Sequence, residues 1–209
     1  MKILFVSSEC APFSKSGGLA DVAFSLPPAL QKTGDDMAIV TPMYRVTQEN
    51  YSDEFERIKT CQIVLGQRRL ACSLYRGALN GVTVYAIGNE HLFHRPRLYG
   101  YGDDSLRFAF FCRAVIDLLP EFGDLPDILH CNDWETALAI LYLKNDAVLR
   151  PELSHIKTVY TIHNIAYQGQ FGRSEMEATF ALPDGWYHGG LSYEFEGRQD
   201  INLMKGAML

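Results

Sequence analysis

The sequence predicts an α/β domain with a mostly parallel sheet flanked by helices, on three observations. Residues 2–8 form a continuous apolar run without alternation, the pattern of a strand buried on both faces. Similar runs recur along the chain with segments of helical period between them. Between residues 58 and 87 the texture changes to two-residue alternation around an Asn80-Gly81 turn, which inserts an antiparallel meander at one side of the sheet.

After the first strand, Leu19, Val22, Ala23, Leu26, Ala29 and Leu30 recur at helical spacing, and Gly34 stands where a left-handed residue would end the helix. Pro27 and Pro28 fall inside this window. Each removes a backbone donor, so the helix is expected to bend or break there. Residues 37–41 close a strand-helix-strand unit. Within the meander the strands are residues 63–65, 70–75 and 82–87. Asp103, Asp104 and Ser105 offer caps to a helix through Leu106, Ala109, Phe110, Arg113, Ile116 and Asp117 that stops at Pro120. Residues 127–131 predict a strand, 134–145 a helix and 156–162 another strand. Residues 200–209 read as the start of an amphipathic helix with no terminating glycine, so the chain is expected to be part of something longer. No repeat, linker or low-complexity tract divides residues 1–209, which are expected to be one domain.

Composition narrows the function. The 209 residues are 47% hydrophobic and 21% charged, enough for a sizeable core, and the net charge is −6 with lysines and arginines dispersed. That balance disfavours a nucleic-acid groove or an anionic membrane surface as partner and leaves a small, locally held anion open. The first apolar run is too short for a signal peptide, and no segment approaches the ~20 apolar residues of a membrane span. Five cysteines, at 10, 61, 72, 112 and 131, lie scattered in apolar runs and read as reduced thiols without disulfides. A cytoplasmic location is expected.

The loop after the first strand, Ser8 to Asp21, carries the chemistry. In doubly wound sheets ligands collect at the carboxyl ends of strands, where loops meet helix N-termini. Gly17 and Gly18 let backbone N–H groups approach a phosphate, the helix end adds partial positive charge, and Lys15 supplies a full one. The same residues would also make a plain tight turn, and the order is not that of a P-loop. Asp21 suits either the helix dipole or a sugar hydroxyl. His163, at a strand end, is either a structural histidine or a cleft contact, and Asp133 is either a helix cap or a ligand group.

Longer blocks bear on these readings. Lys15-Ser16-Gly17-Gly18-Leu19-Ala20-Asp21-Val22 resembles the Lys-Thr/Ser-Gly-Gly-Leu-Ala/Gly-Asp-Val block of bacterial glycogen synthases and plant starch synthases. His130-Cys131-Asn132-Asp133-Trp134-Glu135 is similar to their His-x-x-Asp-Trp segment, Thr161-Ile162-His163-Asn164 through Tyr167-Gln168-Gly169 to their Thr-x-His-Asn block, and Asn202-Leu203-Met204-Lys205-Gly206-Ala207 to the segment before their domain crossover. The blocks occur in the same order over nearly the whole chain.

The resemblance implies the Rossmann-like N-terminal half of a two-domain GT-B glycosyltransferase, with the C-terminal nucleotide-binding domain absent from residues 1–209. The implied reaction is retaining transfer of glucose from ADP-glucose to the nonreducing end of an α-1,4-glucan, glycogen or maltooligosaccharide. It implies Lys15, Gly17, Gly18 and Asn164 at the donor, His163 and Asp21 as catalytic contacts, and Glu9, Tyr99 (or Tyr101), Asp133, Trp134 and Glu135 at the acceptor. Glu135 replaces a histidine found there in many relatives. No cofactor is implied, ADP-glucose being a substrate. No metal is expected either: His91 and His94 lack completing ligands. The family's second domain supplies a pair of glutamates eight positions apart, and no two glutamates here have that spacing. The chain is therefore expected to fold without transferring glucose by itself. A glucan-binding module without catalysis and a UDP-glucose-dependent transferase are the alternatives.

Overall fold

The structure, a computed structural model, describes residues 1–209. The opening apolar run forms β1 (Lys2–Val6), buried from Ile3 onward. It leads through α1 (Gly18–Lys32) to β2 (Asp36–Pro42), which pairs with β1 in parallel. After α2 (Arg45–Tyr51) come β3 (Glu56–Leu65), β4 (Arg68–Leu79) and β5 (Val82–Gly88), an antiparallel meander joined to β2 through a parallel β5. Asn80 and Gly81, at φ +50° and +85°, make the tight turn that an Asn-Gly pair favours. Then follow α3 (Glu90–Phe93), α4 (Asp104–Asp117), β6 (Ile128–Asn132), α5 (Trp134–Asp146) and β7 (Lys157–Thr161). The strands lie in the order β3-β4-β5-β2-β1-β6-β7, so the meander extends one edge of a sheet whose centre is parallel.

Alternation along β1 assigns the two faces. Leu4 and Val6 face a core built with α4 and α5, including Phe108, Phe111, Leu138 and Leu141. Ile3 and Phe5 face a smaller core with Phe13, Ala23 of α1, Ile39 and Val84. α5 is buried over its whole run Glu135–Leu143, because α4 covers one side and α7 (Leu203–Ala207) another. Deep beside it, fully buried Arg107 donates to the carbonyls of Leu92 and Leu98 and to Asp104, which fastens the 92–104 segment to α4.

Several expectations change. α1 runs unbroken through Pro27 and Pro28; both rings are buried, so packing holds the turn where two backbone donors are missing. Asp103 occupies the N-cap position of α4 without capping it and pairs with Arg95 through two bonds of 2.6 and 2.7 Å. Residues 200–202 are not helix. They belong to β10 (Arg198–Asn202), which pairs antiparallel with β8 (Gln170–Gly172) and β9 (Ser192–Phe195) in a second sheet, past the short α6 (Glu175–Ala178). Asn202 then caps α7 by accepting from Lys205 N–H at 2.9 Å, so that helix starts at Leu203.

One glycine ties this second sheet to the central one. Gly169 sits at φ +63°, and a Cβ there would come within 2.8 Å of the Trp134 ring and 3.1 Å of Leu203. Gly169→Ala is therefore expected to cost roughly 1–3 kcal/mol in urea unfolding, from overpacking and backbone strain, and to shift tryptophan emission as Trp134 moves. Unchanged stability and emission would show that the contact is slack.

Candidate active-site cleft

The carboxyl ends of β1, β6 and β7 open into a cleft of about 810 Å³. Its walls are the 16–18 loop with the start of α1, the Tyr99–Gly100 segment, the start of α5, and the His163–Asn164 loop. Each wall is positioned by a polar group leaving the end of a strand or helix.

Glu9 holds the first wall. It is 4% exposed, and its carboxylate accepts from Ser16 N–H (2.6 Å), Gly17 N–H (3.1 Å), the Ser16 hydroxyl (2.7 Å) and the Tyr99 hydroxyl (2.9 Å). The glycine loop thus already cradles an anion, one of the protein's own, and Gly17 N–H is spent on it. Gly18 opens α1, where first-turn N–H groups have no intrahelical acceptor, and it lines the cleft. Tyr99 leans on Phe108 and reaches Ser8 Oγ as well, so the carboxylate joins two loops ninety residues apart in sequence. Burial pushes the Tyr99 phenol well above its usual range.

Asn132 and Asp133 hold the opposite wall. Asp133 takes φ +58° and ψ 177°, a strained backbone conformation that is otherwise almost confined to glycine. It stands at the N-cap of α5 but makes no side-chain cap; its Oδ1 accepts instead from His163 N–H (2.7 Å) and Asn164 N–H (3.3 Å). The Asn132 amide donates to Val6 O, which turns its Oδ1 toward His163 Nε2 at 2.9 Å. His163 Nε2 therefore carries the hydrogen and Nδ1 is left as the acceptor. Behind it, burial and the neighbouring His163 lower the pKa of His130, which meets Thr161 Oγ1 at 2.8 Å.

Trp134 and Glu135 form the floor. The indole packs edge-on to Phe108 (5.3 Å) and beside Phe171 (5.6 Å). Glu135, in the first turn of α5, is 9% exposed, and its Oε2 is buried with no hydrogen-bond partner. Burial, followed by the charges of Asp133, Glu9 and Asp104, raises its pKa to about 8.

Nine of the residues expected from sequence line this cleft: Glu9, Gly17, Gly18, Tyr99, Asp133, Trp134, Glu135, His163 and Asn164. Lys15 and Asp21 do not. They pair with each other at 2.6 Å on the adjoining surface, with side chains 52% and 59% exposed. Tyr101 also lies elsewhere, its ring stacked under Arg95, Arg97 and Arg107. Sequence reasoning did not single out Ser16, Asp104 or Tyr167, which share the lining, nor Asn132, which orients His163 from behind. Asn132 and Tyr167 lay inside blocks already recognised; Asp104 was read as a cap and instead accepts from Gly100 and Tyr101 N–H. Among the described residues no group of three or more His, Cys, Asp or Glu could hold a metal ion, and no helix is long and apolar enough to cross a membrane.

Residues 2–209 match the family described as the starch synthase catalytic domain. The chain belongs to that family. Among curated members of known sequence, glycogen synthase of Geobacillus thermodenitrificans is 42% identical over the whole chain, and that of Bacillus cereus (strain Q1) is 40% identical. The chain spans 42% and 43% of those proteins' lengths. The catalytic domain of starch synthase IV from Arabidopsis thaliana, bound to ADP and acarbose, superposes with a TM-score of 0.84 at 28% identity, over 99% of this chain and 43% of that one. This starch synthase-family fold is thus a Rossmann-like unit matching less than half of its relatives, as the N-terminal half of a GT-B enzyme would.

Two outcomes test the cleft's construction. Asp133→Ala loses the acceptor of the His163 and Asn164 N–H groups, so it should cost roughly 1–3 kcal/mol and speed amide exchange at both, whereas Asp133→Asn, which keeps an acceptor, should lose much less. Glu135 tests the electrostatics. Its pKa is raised on folding from near 4.5 to about 8, so its contribution to stability is complete below 4.5 and lost as pH rises through 8. Glu135→Gln should therefore be the more stable protein at pH 8, by roughly 1–3 kcal/mol, with the gain shrinking towards pH 4.5. A gain independent of pH would contradict the raised pKa.

Proposed function

We propose that residues 1–209 provide the acceptor side and part of the donor site of a glycogen or starch synthase. The proposed enzyme transfers glucose from ADP-glucose to the nonreducing end of an α-1,4-glucan with retention. The observation that carries this reading is the convergence, in one cleft at the sheet's carboxyl edge, of a glycine-loop helix N-terminus, a fixed His-Asn pair and a carboxylate-indole pair. A nucleotide-sugar and a glucan need those three surfaces together. The starch synthase IV neighbour is bound to ADP and acarbose, which supports a nucleotide and an oligosaccharide as the kinds of ligand.

In this proposal the diphosphate lies against Gly18 N–H and Lys15. The Lys15–Asp21 pair is exposed, and such pairs contribute roughly 0–1 kcal/mol, so a phosphate competes for the ammonium at little cost. Charge developing on the departing ADP is then met by a fixed dipole and a cation. Released from Lys15, Asp21 is free to accept from a sugar hydroxyl. His163 and Asn164 face the transferred glucose; His163, with Nε2–H held by Asn132, orients it and is not a general base. The departing phosphate oxygen takes the acceptor proton on the same face, which gives retention. Asp133, Trp134, Glu135 and Tyr99 receive the glucan, the indole covering a sugar face. Glu9 serves this side from behind, by fixing the loop and Tyr99. The reading needs neither a metal nor a cofactor, and places the enzyme in the cytoplasm without nucleic-acid or membrane partners.

The other cleft wall, with the nucleotide-base pocket, belongs in this proposal to a C-terminal domain outside residues 1–209. The decisive experiment measures glucose transfer to glycogen by the product of the whole reading frame, with ADP-glucose and UDP-glucose compared. ADP-glucose should be preferred, Lys15→Ala should lower kcat about 100-fold or more, and residues 1–209 alone should show no turnover. Turnover by the isolated 209 residues, or failure to use either sugar nucleotide, would overturn the reading.

A further inference from the structure

Glu135 stands apart from every other carboxylate in the cleft. Glu9 accepts from four donors, Asp133 from two backbone N–H groups, and Asp104 from two N–H groups and Arg107. Glu135 is different: its Oε2 is sealed from solvent without a hydrogen-bond partner. A charged carboxylate left so is expensive, whereas a carboxylic acid is not, and an acid brings something the other three cannot: an O–H donor. The cleft floor is otherwise rich in acceptors, and sugar hydroxyls and ring oxygens need donors as well.

We propose that Glu135 works as a neutral carboxylic acid whose O–H donates a hydrogen bond to an oxygen of the bound glucan, making it a positioning residue for the acceptor sugar. The inference rests on the proposed glucan-binding role of this cleft. The proton can sit on either oxygen, and the terminal torsion of glutamate is soft enough to present it to the cleft. Its surroundings keep the acid neutral from every side: Asp133 at the N-cap, Glu9 after β1 and Asp104 on α4 all disfavour a further negative charge, and burial adds to them. The other groups that face it, Tyr44, Tyr99 and Tyr160 together with Cys112, whose thiol donates to the Glu135 carbonyl, all have pKa values raised by burial. Arg107, the nearby cation, is engaged with Asp104. With the acid titrating at about 8, its donor form falls roughly tenfold between pH 7 and pH 9, and affinity should fall with it.

Two measurements on the 209-residue chain test this. The first follows the Glu135 carboxyl carbon by NMR with 13C-labelled glutamate, identified by its loss in Glu135→Gln; a midpoint near 8 is expected, and an ordinary carboxylate midpoint overturns the inference whatever the sugar does. The second titrates maltotetraose by calorimetry at pH 7 and pH 9. Wild type should bind about tenfold more weakly at pH 9. Glu135→Gln, which keeps a donor at every pH, should bind equally at both, and Glu135→Ala should bind poorly at both. Binding that is equal at the two pH values in wild type overturns the donor role while leaving the glucan reading intact. No binding at either pH, with the carboxyl midpoint still near 8, overturns the donor role because the glucan reading itself has failed.

Discussion

A carboxylate taken out of water must find hydrogen-bond donors, and that single requirement builds this cleft. Glu9, at the end of β1, draws in two backbone N–H groups of the glycine loop and two hydroxyls, one of them from a segment far away in sequence. Asp133, at the end of β6, draws in the N–H groups of His163 and Asn164 just past β7. Asp104 does the same for Gly100 and Tyr101. Charge-assisted bonds of this kind are stronger than neutral ones, and here they lie in partly dry surroundings where losing one partner is costly. The parallel sheet fixes where the strands end; these anions fix where the loops go next.

Burial decides which charges are structural and which remain available. Glu9 is almost fully covered and has its capacity filled, so an incoming phosphate cannot displace it from the loop without leaving a buried anion bare. Lys15 and Asp21 make a shorter contact than most, yet both are more than half exposed, so their pair is weak and exchangeable. The same loop therefore has a hydrogen-bonded backbone and an exchangeable cation, which on the proposed function suits a site shaped before ligand arrives and neutralising charge only afterwards.

The sheet was legible because its signals are local. Continuous apolar runs gave β1, β2, β6 and β7, and the Asn80-Gly81 turn gave the hairpin between β4 and β5. The helix is unbroken through Pro27 and Pro28 because the buried rings, a tertiary fact, compensate for the lost donors that propensity counts. The small sheet of β8, β9 and β10 escaped because its short strands carry no continuous apolar run and no period to detect. In the site, ordered blocks of resemblance located the residues, but spacing could not show who bonds to whom. Glu9 and Asp133 both line the cleft, but spacing could not show that Glu9 also holds the Ser16–Gly17 loop and Tyr99, or that Asp133 Oδ1 accepts from His163 and Asn164 N–H. Asn132, a bystander in the sequence, sets the tautomer of His163.

On the proposed function the cleft is one side of a larger site. At its rim Tyr167 lines the cavity while 67% exposed, and Ile165 beside it is 63% exposed, large apolar groups held in water next to a polar floor. On the proposed function these are the surfaces over which a second domain closes. Closure would matter most to the groups already described: it would remove water from around Lys15 and Gly18, where a lower effective dielectric strengthens each charge contact to a departing phosphate. It would also keep Glu135 protonated, because every further loss of solvent favours the neutral acid over its anion. The one carboxylate without donors is thus the one whose chemistry a closed cleft would preserve.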